Sequence, residues 1–513
     1  MAQRLSRADR ISKLAPRPLT QPLPIRPAMT GWNTRDDLDG MDPTDAVVMD
    51  NFYADAGGVS VRRGSQPWAI GLAGACQTLA EYYSGAMRKL IASAGGTVYD
   101  LSATNVNTVI GSGFTSDVWT CANFSARLFM ANGVDAVQAI NGGSIASAAF
   151  TGPPSPPSGV FTFKGRLFFW MPASPIFYYA PLGAVTGALA AFDLSTIAQF
   201  GGNILCMTNF AHDGGDGVTN TLAIVMTTGE VLLYLGDDPG LTTNWQIVGK
   251  YKLGAPINGR SVAAYGGDVY LTTLDDHVAL QEQLIAIRAG QTPPRSKISG
   301  AVREVISYSN NTATPGKGFQ AIYYGKGRRV VFNVPSIFVP EVYEQHIYNT
   351  SNQSWQRFQG MNALCWAEFQ TNLYFGTATG QVWWADTGAD DNGQPIVANC
   401  QQAWSALQAP SGKRTAGLRP VIYTVAGQGW DFSVGYDYNP LTLQIITPTY
   451  PIGAIWDVSL WDVTYWAQEA SVDSRVHAGI GSGTAVSFQL SVEATVPLVW
   501  MRTDLVVENA PQI

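Results

Sequence analysis

The sequence predicts a mainly β protein: a degenerate β-propeller of about six or seven blades, with an N-terminal arm and a C-terminal antiparallel β domain. Three observations predict it. Met361 to Gly388 reads as three short strands, ALCWAEF, NLYFGTA and QVWWAD, broken by a polar turn and by Thr379-Gly380. Similar triplets recur from about residue 75 to 407. Strands this short bury too little surface to stand alone, so the copies must pack on one another.

Composition is the third observation. A chain of 513 residues exceeds one ordinary core, so two to four domains are expected. Hydrophobic residues at 46% and aromatics at 11% make it globular, while 13% charged residues, 53 Gly and 15 Trp make it turn-rich and β-rich. A net charge of −7 argues against a basic nucleic-acid-binding face. The five cysteines are scattered and form no CxxC pair, which reads as reduced, buried thiols. No apolar run approaches the roughly twenty residues that span a bilayer. The basic opening MAQRLSRADRISKLAPRPL has no apolar core after it, so it is not read as a secretory signal.

Taken in order, residues 1–70 are an arm and platform segment. The Arg- and Pro-containing stretch 1–30 has little structure of its own and is either disordered or borrowed by a neighbouring subunit. Asp42-Pro43-Thr44-Asp45 reads as a helix start before AVVMDNF. The clustered Asp36, Asp37, Asp39, Asp42 and Asp45 fit no calcium loop and read as a cap-and-turn segment. Residues 71–407 are the propeller. Its units begin at CQTLAEYYS (76–84), VWTCANF (118–124), VFTFKG (160–165), NILCMTNFA (203–211), SVAAYGG (261–267), FQAIYYG (319–325) and ALCWAEF (363–369). Each has an apolar first strand with small residues, then a β-branched or aromatic second strand, then a third. HVALQEQ (277–283) reads as the third strand of the fifth unit. Cys121, Cys206 and Cys365 fall mid-way along first strands, each followed by Phe124, Phe210 or Phe369, as expected where only a small side chain fits near a crowded axis. In SKISGAVREVISYS (296–309), Ile298, Val302, Val305 and Ile306 fall at helix spacing, so a helical insertion is expected. QAPSGKRTAGLRP (408–420) reads as a linker, and 408–513 as the C-terminal β domain, a sandwich or barrel-like unit.

No catalytic, cofactor-binding or metal site is read from the residues, and channel or gate residues are not identifiable. GIGSGT (479–484) looks like a phosphate loop, but the alternating AVSFQLSV after it makes a hairpin turn the better reading. HDGGDG (212–217) and DTGADDNG (386–393) are acidic glycine loops, read as blade turns with calcium as the alternative. His212, His277, His346 and His477 lie in separate units, and no nucleophilic set assembles from local spacing. The Ser-x-Asp-x-Gly box of sialidase-type propellers is not visible.

GWNTRDDLDGMDPTDAVVMDNFYADAGGVSVRRG (31–64), SKISGAVREV, VVFNVP with EQHIYNTSNQSWQRFQGMNALCWAEFQTNLYFGTATGQVWWADTG, and GIGSGTAVSFQLSVEA resemble, in the same order, segments of the tail nozzle (tail tubular protein B) family of short-tailed phages. The resemblance implies a virion protein of the tail, made in the host cytoplasm. It implies a hexameric ring below the adaptor and portal, contacts with tail fibre or spike proteins, and an inner wall forming the distal DNA channel. The viral double-stranded DNA would pass without specific binding, because an acidic wall repels phosphates. The family reading implies no enzyme, no cofactor and no membrane insertion. The competing expectation is a glycan-binding or glycan-cleaving propeller serving as a host-adhesion module, and a weaker one is a bacterial propeller scaffold.

Overall fold

The computed structural model describes residues 22–213, 218–407, 412–425, 428–439, 471–474, 476–478 and 481–509. The arm 1–21 expected at the N-terminus and most of the loop 212–217 lie outside the described residues.

The fold is a β-propeller of seven blades joined to a β-sandwich, and the blades begin where the sequence units begin. Blade 1 is built from Cys76–Ser84, Met87–Ala94, Thr97–Asp100 and Thr108–Ser112. Blade 2 holds Thr120–Phe124, Arg127–Ala131, Gln138–Asn141 and Ser144–Ser147. Blade 3 holds Gly159–Phe163, Arg166–Trp170, Ile176–Tyr179 and Ala190–Asp193. Blade 4 holds Ile204–Asp213, Val218–Met226, Glu230–Leu235 and Gln246–Lys252. Blade 5 has three strands, Val262–Tyr265, Asp268–Thr272 and His277–Ala279. Blade 6 holds Gln320–Tyr324, Arg329–Pro335, Tyr343–Asn349 and Trp355–Phe358. Blade 7 takes Cys365–Phe369, Asn372–Gly376 and Val382–Ala385, and its outer strand is Ser65–Ala69, which precedes blade 1 in sequence. That borrowed strand closes the ring, since the first and last inner strands then lie side by side.

Each face between blades is a hydrophobic cluster. Tyr82, Ile91, Trp119 and Leu128 fill the space between blades 1 and 2. Tyr324, Ile347, Trp366 and Phe375 fill that between blades 6 and 7. Full burial of one such side chain stabilises by about 1.5–3 kcal/mol, so the ring is held by its aromatics rather than by the sheets alone. Cys76, Cys121, Cys206 and Cys365 all lie on inner strands, in agreement with the small-residue argument.

The sandwich corrects the expected domain boundaries. One of its sheets continues from blade 6: Trp355–Phe358 pairs with Gly31–Trp32, and the sheet runs on through Asp45–Asp50, Ile396–Gln402, Val486–Ala494 and Asp431–Tyr436. The facing sheet holds Lys413–Thr424, Leu498–Asn509, Gly58–Val61 and Phe52–Asp55, with Leu23–Ile25 on Leu498–Asn509. Thus 31–61 and 396–402 belong to the same unit as the C-terminal strands, and 413–424 is a strand rather than a linker. The expected helix start at Asp42 is a turn: Asp42 accepts from the Thr44 N–H (2.8 Å) and hydroxyl (2.6 Å). The chain then enters a strand, because Val47 and Val48 suit a pleated surface and both flanks offer partner strands. At Asn51, with φ 56°, the chain passes from one sheet to the other. Met49, Phe52, Trp430, Phe432, Phe488 and Trp500 meet in the interior, Phe432 and Trp500 edge to face at 5.5 Å.

Two helices sit at the joint. Helix α1, Leu280–Arg288, replaces the outer strand of blade 5, so HVALQEQ is a strand only to Ala279. Leu280 and Leu284, one turn apart, are buried against blades 4 and 5. Helix α2, Ser299–Asn310, is the expected insertion, burying Val302, Val305 and Ile306 in the core shared by the sandwich and blade 6.

Gly31 is where blade 6 meets the sandwich, and only glycine fits there. Its φ is +87°, and a Cβ would lie 2.5 Å from the Trp355 carbonyl oxygen and 2.7 Å from its nitrogen. Gly31→Ala is expected to lower unfolding free energy by about 2–3 kcal/mol, measured by denaturant titration. A change within about 0.5 kcal/mol, the range of a neutral surface substitution, would show that this junction is not rigid.

Candidate functional site

The propeller axis is the place where all blades converge, and a side chain crosses it. Arg260 stands just before the inner strand of blade 5. Its Nη1 donates to the Gln77 carbonyl in blade 1 (2.8 Å) and its Nη2 to Gln320 Oε1 in blade 6 (3.3 Å). Gln320 Nε2 donates in turn to the Trp366 carbonyl in blade 7 (3.0 Å), and the Trp366 N–H returns to Gln320 Oε1 (2.9 Å). Four blades are therefore tied through one guanidinium. Beside it the Cys76 and Cys365 sulfurs lie 4.0 Å apart, and burial pushes the Cys121 thiol up to about 12. The contact with Cys365, and then burial, push the Cys76 thiol well up, so Cys76 and Cys121 act as packing groups.

The joint between propeller and sandwich carries the second concentration of polar chemistry. Arg62, almost fully buried, makes a bidentate pair with Asp391 (2.6 and 3.1 Å) and donates to Asn51 Oδ1 and the Gln359 carbonyl. Arg357 makes a bidentate pair with Asp50 (2.6 and 2.9 Å) and lies over the Trp32 ring. Lys297, at the start of α2, pairs with buried Asp45 (2.6 Å). Between them sit two buried histidines. His277 Nε2 and His346 Nδ1 are 3.0 Å apart, and His277 Nδ1 meets the Thr272 hydroxyl at 2.9 Å. His277 stacks on Phe332 (4.1 Å) and lies parallel to Trp355 (5.7 Å), while Trp32 sits edge-on to His346. Buried Glu344 lies 3.8 Å from His346 Nε2. Burial, and then the neighbouring His346, hold His277 well below the usual imidazole value.

Sequence spacing placed the histidines in separate units; blade packing brings His277 and His346 together, a long-range contact that no local motif could announce. The other candidates fall on structural roles. Asp36 pairs with Arg35, whose guanidinium together with Asn33 holds that carboxyl at about 2. Asp45 is ion-paired rather than solvated, and Asp39 accepts from the Tyr438 hydroxyl (2.8 Å). In the loop 386–393, Asp386 pairs with Arg329 and Asp391 with Arg62, so cations of the fold already occupy these carboxylates. At the glycine turn near 481–485, Asp437 Oδ1 accepts from the N–H groups of Thr484 (2.7 Å) and Ala485 (3.0 Å), which fills the cradle a phosphate would need. Among the described residues no group of three His, Cys, Asp or Glu side chains is placed to hold a metal ion. No helix among them is long and apolar enough to cross a membrane.

No protein-family model matches the sequence, and a search of curated proteins found no match. Solved structures similar in outline include β-propeller domains. The computationally designed protein Ika8 has a TM-score of 0.37 at 10% identity, over 63% of this chain and 100% of its own. The WD40 propeller domain of Doa1 has a TM-score of 0.38 at 11% identity, over 63% and 98%. The propeller domain of Cps50 (Swd1) from Myceliophteria thermophila has a TM-score of 0.36 at 12% identity, over 58% and 93%.

His277 gives the joint a pH dependence. His277 is depressed in the folded state, so below about pH 6.5 the unfolded chain binds a proton that the folded chain refuses. Its contribution to stability is complete above that value and is lost as pH falls towards the folded pKa, at up to about 1.4 kcal/mol per pH unit. Unfolding free energies measured from pH 7.5 to 5 should fall more steeply for the wild type than for His277→Gln. Parallel curves would show that His277 takes up its proton as readily in the folded protein as in the unfolded chain.

Proposed function

We propose that this chain is the tail-nozzle subunit of a short-tailed phage, a non-enzymatic virion protein. It forms a hexameric ring below the adaptor and portal, with tail fibre or spike proteins as further neighbours. The observation that carries the reading is where the resembling segments lie. Far apart in sequence, they pack as one body. Residues 31–61 form sandwich strands, α2 caps the joint, 330–385 form most of blades 6 and 7, and Val486–Ala494 is a central sandwich strand. A chance likeness of scattered segments has no reason to assemble into a single core.

The closed axis supports a particular geometry for the conduit. Arg260 and its partners leave no passage for a duplex whose major groove alone is about 12 Å wide. The channel is then enclosed by copies of the chain around a common axis, with each propeller a solid lobe of the ring. Double-stranded DNA slides along such a wall without being held when the wall is not basic, and the net charge of −7 is consistent with that.

Native mass spectrometry of the purified chain, alone and with its adaptor, tests the reading. The expected result is a ring of six, or a monomer that becomes six on the adaptor, with no activity on polysaccharide. A monomer or trimer that ignores the adaptor would overturn it, and binding of host glycan would then favour the adhesion module.

A further inference from the structure

On one side of Arg260 the axis opens into a cavity of about 530 Å³, lined by residues at the entry ends of the inner strands of all seven blades. That volume lies within the roughly 300–1,000 Å³ typical of small-molecule sites. Its chemistry is unlike that of the rest of the chain. The whole protein carries 38 Asp and Glu against 31 Lys and Arg, yet the cavity is lined by two cations, Arg260 and Lys317, and by no carboxylate among the described residues. Arg260 spends one N–H from each terminal nitrogen on an uncharged acceptor. Its remaining donors have no protein partner among the described residues, and neither acceptor neutralises the charge. Lys317 pairs with Glu341 outside the cavity (2.6 Å), in an exposed contact that holds it weakly. Trp170, Met171, Pro172 and Phe319 supply an apolar wall beside these charges.

We propose that the axial cavity is a binding site for a small organic anion, its carboxylate or phosphate seated on Arg260 and its body against the Trp170 and Pro172 wall. A planar guanidinium with free donors accepts either head group by paired hydrogen bonds, and a partly enclosed site strengthens them. The site goes beyond the conduit function and does not depend on it.

Isothermal titration of the full chain with glucuronate, glucose 6-phosphate and glucose tests the site, because the three share a ring and differ in charge. At least one anion is expected to bind about tenfold or more tightly than glucose, and the tighter one identifies the head group as carboxylate or phosphate. Val118 lines the cavity and is 42% exposed, so Val118→Glu adds a carboxylate without disturbing the core. It is expected to weaken anion binding at least about tenfold with the melting temperature unchanged. Arg260→Gln should abolish the preference; if that variant fails to fold, Val118→Glu alone decides. Equal or undetectable affinity for all three ligands, or unchanged anion binding by Val118→Glu, would overturn the proposal.

Discussion

The structure depends on one shared sheet. Blade 6 does not end at its outer strand: Trp355–Phe358 pairs with Gly31–Trp32 and contacts Asp45–Asp50, so blade and sandwich are hydrogen-bonded into nine continuous strands. Backbone pairing across a domain joint is rigid in a way side-chain contacts are not, because slipping it would break the ladder and move each strand's apolar face out of the core. The side chains around it reinforce the same geometry. Arg357–Asp50 and Arg62–Asp391 are paired where removal of one partner would leave an uncompensated charge in a buried place. The N-terminal segment serves both units: 31–61 builds the sandwich, and Ser65–Ala69 closes the ring at blade 7.

The axis shows a second constraint. Seven inner strands converge, and where blades 7 and 1 meet the residues are small or thiol-bearing: Cys76, Cys365 and Gly376, where a Cβ on Gly376 would meet the Cys76 sulfur at 2.6 Å. One long side chain, Arg260, links blades 5, 6, 7 and 1. A propeller closed in this manner is a rigid lobe with a shallow funnel, not a pipe.

Much of the propeller was legible in the sequence, because its signals are local. Runs such as RLFMA (127–131) and NLYFG (372–376) are strands on composition alone, and the turns between them carry the usual residues. The outer strands Thr108–Ser112 and Ser144–Ser147 were not legible, being short, exposed and weakly apolar. Ser65–Ala69 gave no sign of belonging to blade 7, since its partner is some three hundred residues away in the chain. Asp45–Asp50 reads as a helix start by its Asp-Pro-Thr-Asp opening, and tertiary pairing on both sides overrides that signal. HVALQEQ divides because Leu280 and Leu284 can bury one face of a helix against the blade edge, which periodicity over seven residues does not reveal. The site chemistry was least legible: Arg260 follows an ordinary Asn-Gly turn, and only ring closure brings it to Gln77.

The nozzle reading joins these points. A sandwich fused to blades 6 and 7 is the body that the resembling segments build, and the remaining blades form a lobe that such a body carries. Electron cryomicroscopy of the purified chain mixed with the adaptor proposed for it and with duplex DNA tests this most directly. The account predicts six sandwiches around a common axis, DNA density on that axis, and propeller centres closed by Arg260. Density for DNA running through a propeller centre, or an assembly without a common central channel, would contradict it.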